Sequence, residues 1–234
     1  MADSGKALGT LSRTVNIALA PLRGLVWDEI EEWLSATIER KLEERGVPKE
    51  RITTPNPDVA VPAIEALRYT TLREQYANLL ATSMDSATAL EAHLAFVEIL
   101  KQLTPDEAKI LQFLPRVEKH EPIINLGFEI PEKGQFVIYR HASTIGADAG
   151  CSADAIVPQA INNLCRLGLT EIPAMRKLAE DWRYDRIRAL SVVSEIKAHI
   201  PKGARFIIEE KIFGITIIGE SFRAACISER KSEA

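Results

Sequence analysis

Gln159, Asn162, Asn163 and Arg166 carry the most specific chemistry in this 234-residue chain. They interleave with Ala160, Ile161, Leu164 and Leu167, an apolar stripe at three- and four-residue spacing, so the polar four share the outward face of one helix. A side-chain amide reads adenine through paired hydrogen bonds, and a guanidinium reads guanine the same way, which suits such a face to a DNA major groove. Lys202, Arg205 and Lys211 would add phosphate contacts, although Glu209 and Glu210 stand among them. A second set is aromatic. Trp27, Trp33, Trp182 and Tyr184 are the kind of residue that anchors protein interfaces. Helical spacing favours internal burial for Trp27 and Trp33, whereas Trp182 and Tyr184 lie in a charged run, Glu180 to Arg186, that fits a partner contact better.

Catalytic, cofactor and metal patterns are missing. His93, His120, His141 and His199 have no ligand spacing, and there is no HExxH or CxxC. Gly146 and Gly150 fall in a segment without the Lys-Ser or Lys-Thr of a phosphate loop, and no GxSxG elbow occurs. Neither a cofactor nor a metal is expected, and an enzyme is the less favoured reading. Cys151, Cys165 and Cys226 are too scattered for a disulfide framework, and read as small buried hydrophobes in a reducing cytoplasm.

Charge weighs against strong DNA binding. Residues 1–120 carry 14 Lys and Arg against 18 Asp and Glu, and residues 121–234 carry 15 of each. A protein that grips DNA through its phosphates usually shows a basic excess. No secretory leader is expected. The apolar stretch near residues 11–27 is too short to span a bilayer, but would suit contact with a membrane surface.

The elements that must position these residues follow from periodicity and punctuation. A long N-terminal helix from about 6 to 44 should break near Pro21 and stop at Gly46-Val47-Pro48. Four prolines between 47 and 62 make a connector of residues 53–57. Helices are expected over 61–81, with a division near 70, and over 86–103. Thr104-Pro105-Asp106-Glu107 is a strong helix start. Strands follow at 123–130 and 136–139 around a Pro131–Gly134 turn, then a brief helix at 144–149. The Gln159–Leu167 helix has Pro158 in its first turn and Gly168 as C-cap. A short strand begins at Leu169, a helix covers 186–199, a strand region runs from 205 to 218, and Phe222 and Cys226 sit on a closing helix.

The expected fold is α+β and mainly α. A helical module at 1–103 precedes a winged-helix-like domain at 104–228, with an insertion at 173–204 between the wing strands.

Several segments resemble the bacterial Abi-alpha, or abortive infection, family. They are residues 5–9 through 21–25, 62–69, 93–108, 164–169 and 219–226. The most specific is Glu74-Gln75-Tyr76-Ala77-Asn78-Leu79-Leu80-Ala81-Thr82-Ser83-Met84-Asp85. The likeness implies a role in phage defence, in which an infected cell is sacrificed or phage growth is blocked. It carries over no catalytic residue. Three readings result. The first is a cytoplasmic, non-enzymatic defence protein acting through a protein partner or a second copy of itself. The second is a winged-helix DNA-binding regulator. The third is a membrane-associated effector using residues 11–27.

Overall fold

The computed structural model describes residues 4–22, 28–117 and 119–228, without the side chains of residues 4–11, 22, 28 and 29. Trp27 and part of the 11–27 segment therefore lie outside the described residues. The chain forms two compact units, residues 1–105 with 221–234 and residues 106–220.

The first unit is helical. Helix α1 (Ser4–Leu19) gives way to a 3-10 turn at Ala20–Leu22, and α2 (Asp28–Glu44) follows, so the chain does break at Pro21. Asn56 caps α3 (Pro57–Ala66) by accepting from the Asp58 amide at 2.9 Å, with Pro57 in the first turn. Proline there forfeits only a donor that has no helical partner anyway. Helix α4 (Arg73–Met84) is buried continuously from Tyr76 to Met84. A helix covered on all sides has lost its amphipathic pattern, because α2, α3 and the last turn of the chain all pack on it.

The expected helix over 86–103 is replaced by a turn at 85–88, a 3-10 turn at Ala89–Glu91 and a short α5 (Ala95–Leu100). Side chains that compete for backbone donors explain the break. Asp85 accepts from the Ala87 amide at 3.0 Å, and His93 Nδ1 accepts from the Ala95 amide at 3.1 Å. The closing segment also belongs here. A π-helical turn, Arg223–Ile227, brings Cys226 into the core, and Phe222 meets Phe96 edge-on at 5.3 Å. Residues 221–228 thus pack with the helical unit, not with the C-terminal one.

The second unit is mixed α and β. After α6 (Pro105–Phe113) come β1 (Glu121–Ile130), β2 (Gly134–Ala142), α7 (Ile145–Ala149), α8 (Val157–Arg166), β3 (Thr170–Glu171), α9 (Asp185–Arg188), α10 (Ser191–Ala198), β4 (Arg205–Ile215) and α11 (Ile217–Phe222). The sheet is antiparallel, with order β2-β1-β4-β3. The strand expected over 205–218 stops at Ile215, because the Thr216 hydroxyl accepts from the Gly219 amide at 3.0 Å and starts α11. The helix expected over 186–199 is divided into α9 and α10.

Residues 173–204, the expected insertion, lie between β3 and β4 and pack on the sheet. Their Tyr184, Ile187 and Val193 join Ile124, Leu126 and Ala142 in one apolar core against the sheet.

The start of α6 is tied to residues 150–152. Lys109 bonds both Asp106 and the Gly150 carbonyl at 2.9 Å, and the Ser152 amide donates to Asp106 at 3.1 Å. The Lys109 ammonium, then the Ser152 hydroxyl and amide, pull the Asp106 carboxyl down to about 2. An unfolded aspartate titrates near ~3.9. The folded state therefore gains stability from this carboxylate above about pH 4, and loses it as the pH falls through about 2. Asp106→Asn should lower the urea midpoint at neutral pH and flatten the stability profile across that acid window. Parallel profiles for the two proteins would remove Asp106 as the cause.

Candidate functional site

Local sequence builds α8 well. Pro158 sits in its first turn, and Val157, Ala160, Ile161 and Leu164 are buried. Gly168 takes φ +73°, its amide bonds the Cys165 carbonyl at 3.0 Å, and the Leu169 amide bonds Leu164 at 3.0 Å. These two bonds make the Schellman closure that only a glycine accommodates without strain. Gln159 and Asn162 are exposed on the outer face. Asn163 and Arg166 are occupied within the molecule. Asn163 Nδ2 donates to Glu107 Oε1 at 2.8 Å, and the Arg166 guanidinium donates to Asn163 Oδ1 at 2.7 and 3.0 Å.

The basic candidates are placed on and beside β4, each strand residue with its own acid. Arg205 pairs with Glu129, and Lys211 pairs with Glu209 at 2.8 Å. Lys202 is exposed in the turn before the strand. Ion pairing of this kind leaves little unopposed positive field for phosphate.

Of the aromatic candidates, Trp33 is half-buried and Trp182 is 70% exposed. Tyr184 corrects the expectation: it is fully buried. Its hydroxyl donates to the Lys211 carbonyl and accepts from the Leu178 amide, both at 3.0 Å. A buried phenol needs such partners; the Leu178 bond closes the insertion on itself and the Lys211 bond fastens it to β4. Arg188 reinforces them. It lies 5.7 Å from the centre of the Tyr184 ring and pairs with Asp181 at 2.7 Å, Asp185 at 2.9 Å and Glu210. Glu210 also holds Lys177 at 2.9 Å. Burial pushes the Glu210 carboxyl up, but Arg188 and Lys177 outweigh it and leave it lowered. Trp182 alone of this pair is open to a partner.

The strand expected at 136–139 is present within β2, but its place at the sheet edge was not foreseen from sequence. β2 lies at the sheet edge, and Phe136, Val137 and Ile138 are 42%, 36% and 52% exposed. Phe136 stacks on Phe128 at 5.4 Å. The signal was the unbroken run Phe136-Val137-Ile138-Tyr139, which reads as a strand buried on both faces. Sheet order reverses that meaning, since an apolar strand at an edge is a template for another chain.

Residues 27–226 match the family described as Abortive infection alpha. The chain belongs to that family. No curated protein matches it. Among solved structures it is similar to an uncharacterized protein from the hydrocarbon-degrading marine bacterium Alcanivorax borkumensis SK2, at 22% identity and a TM-score of 0.39, over 58% of this chain and 92% of that one.

In this abortive infection alpha chain, residues 74–85 are almost wholly structural. Arg45 donates to Thr82 Oγ1 at 3.1 Å, and Asn78 Nδ2 donates to the Cys226 carbonyl at 3.0 Å. Asp85, 3% exposed, takes both arms of the Arg51 guanidinium. Glu74 at the helix start meets the buried ammonium of Lys41 at 2.7 Å. Among the described residues, no group of three His, Cys, Asp or Glu could hold a metal ion, and no helix is long and apolar enough to cross a membrane.

Proposed function

We propose that this abortive infection protein acts in the cytoplasm through contact with a protein partner rather than by catalysis, and that β2 forms part of the contact surface. The exposed apolar edge carries this reading. Monomeric proteins normally blunt an edge strand with charge or proline, whereas here three consecutive apolar residues are exposed. An added strand would gain main-chain hydrogen bonds along β2, with Phe136 and Ile138 selecting its side chains.

The test is phage plating on cells that express the wild type, Ile138→Lys or Phe136→Glu. Ile138→Lys should fold with an unchanged melting temperature, because an exposed position tolerates substitution, while Phe136→Glu should lower it modestly by losing the stack on Phe128. Both should restore plating to the level of cells lacking the gene. Full protection by both would discard β2 as the contact surface.

A winged-helix DNA reader is the second reading. Its support is that α6, β1, α7, α8, β3 and β4 follow in the order helix, strand, helix, helix, strand, strand once β2, α9 and α10 are set aside as additions, with β4 between β1 and β3. In that arrangement α8 would be the recognition helix, and Gln159 and Asn162 would remain open for bases. Residues 11–27 remain a candidate for membrane-surface contact, a role that fractionation with and without them tests.

A further inference from the structure

A cavity of about 150 Å³ lies beside the end of β2, walled by Tyr139, His141 and Ser143, by Asp154 and Pro158 at the approach to α8, and by Leu190 at the approach to α10. Two buried polar atoms here have no hydrogen-bond partner: His141 Nδ1 and Ser143 Oγ. The His141 residue is only 7% exposed. Leaving such groups unpaired is costly, so native proteins rarely keep them without something to bind.

The site is built. Around Asn125 the β1–β2 register shifts, and the buried Asn125 Oδ1 accepts from the His141 amide at 3.0 Å. Asn125 Nδ2 is itself tied to Glu209 at 2.8 Å. His141 takes φ +60°, a left-handed conformation uncommon outside glycine, and the Asn125 bond to its amide helps hold it there. The Pro158 carbonyl beside the ring favours a proton on it. A proton on Nε2 would meet that carbonyl and leave the Nδ1 lone pair as an acceptor.

Charge defines the ligand. Burial first, and then Arg140 and Lys211, lower the tendency of His141 to protonate, so it is neutral at neutral pH. The same two cations disfavour a positive ligand, and the Asp154 carboxylate on the wall disfavours a negative one. The volume is below the ~300 Å³ of drug-sized pockets, yet several times the ~30 Å³ share of a water molecule.

We propose that this cavity binds a small uncharged ligand that offers an N–H donor to His141 Nδ1 and an acceptor to Ser143 Oγ, the pattern on the edge of a nucleobase or a carboxamide. Its walls come from β2 and from the segments leading into α8 and α10, so occupancy would brace the insertion against α8. The inference stands apart from the partner contact at β2.

The test uses the full chain with ¹⁵N-labelled histidine, titrated separately with adenine, uracil and nicotinamide. At least one probe should shift the His141 Nδ1 resonance saturably, with acetate and ammonium inert. Ser143→Ala should weaken that probe about tenfold. Because its hydroxyl has no partner to lose, the variant should fold as well as the wild type. Isothermal calorimetry with the same probe reads binding without the histidine resonance: His141→Phe should abolish that heat, while Gln159→Ala should leave it unchanged. Failure of every probe to saturate at millimolar concentration would overturn the proposal and leave ordered water as the occupant. Equal affinity in wild type and Ser143→Ala would overturn it as well.

Discussion

Asn78→Ala should destabilise the helical unit by about 1–3 kcal/mol, the cost of removing one partner from a buried polar contact. The terminal carbonyls of any helix lack donors from within it. In the turn Arg223–Ile227 the residues Ala225, Cys226 and Ile227 are buried, so water does not supply their carbonyls. Side chains of α4 do. Asn78 Nδ2 reaches the Cys226 carbonyl at 3.0 Å, and Thr82 Oγ1 lies 3.1 Å from the Ala225 carbonyl. The Arg45 guanidinium donates to Thr82 Oγ1 and approaches Asn78 Oδ1 at 3.4 Å, which holds both acceptors in register. Alanine at 78 removes the donor to Cys226 and opens a space too small to collapse freely. Urea denaturation measures the loss. Thr82→Ala should interact with it, so that the double variant loses less than the two singles together. A loss below about 0.5 kcal/mol for Asn78→Ala would mean that the closing turn is held by apolar packing alone.

The contrast between α8 and residues 85–94 shows what was legible beforehand. Apolar spacing, Pro158 and Gly168 sit within a dozen residues of one another, and all three specify the same helix and the same stop. The β1–β2 hairpin is equally local, with Glu132 and Gly134 at positive φ in its turn. Residues 85–94 also have helix-forming composition, but Arg51 reaches across 34 positions to Asp85, and the Ser86 amide bonds the Arg51 carbonyl at 2.9 Å. A tertiary contact of that range overrides propensity, and no window of sequence contains it. The candidate site divides the same way. Gln159 and Asn162 are on the outer face as periodicity requires, while the occupation of Asn163 by Glu107 joins residues 56 apart. Tyr184 looked like a surface aromatic because its neighbours are charged. Its cover comes from beyond that run, with Arg188 over the ring and Glu210 of β4 paired to Arg188. Edge exposure of Phe136 and Ile138 depends on strand order, which alternation along one strand does not encode.

Gly219→Ala tests a packing constraint against a helix rule, and the two predict opposite signs. Within α11, replacing glycine by alanine should stabilise by about 1 kcal/mol through backbone entropy. A Cβ built on Gly219, however, would lie 1.9 Å from the Leu169 carbonyl oxygen and 2.8 Å from Ile215 Cγ1. That carbonyl cannot swing aside, because it accepts from the Thr216 amide at 3.0 Å, and the Thr216 hydroxyl bonds the preceding Gly168 carbonyl at 2.6 Å. The strain would pass into the Gly168 turn that ends α8 and into the β3–β4 pairing of Thr170 with Ile215. Overpacking of side chains alone typically costs about 1–3 kcal/mol, and a backbone obstacle belongs at the upper end of that range. The expected result is net destabilisation by about 1–2 kcal/mol, with amide exchange accelerated first at Leu169 and Thr216. Gly203→Ala provides the comparison, since its Cβ meets open space and only its φ of +83° opposes it. If Gly219→Ala proved neutral or stabilising, α11 would have to move away from β3 at little cost, and the close approach would not be what fixes glycine at this position.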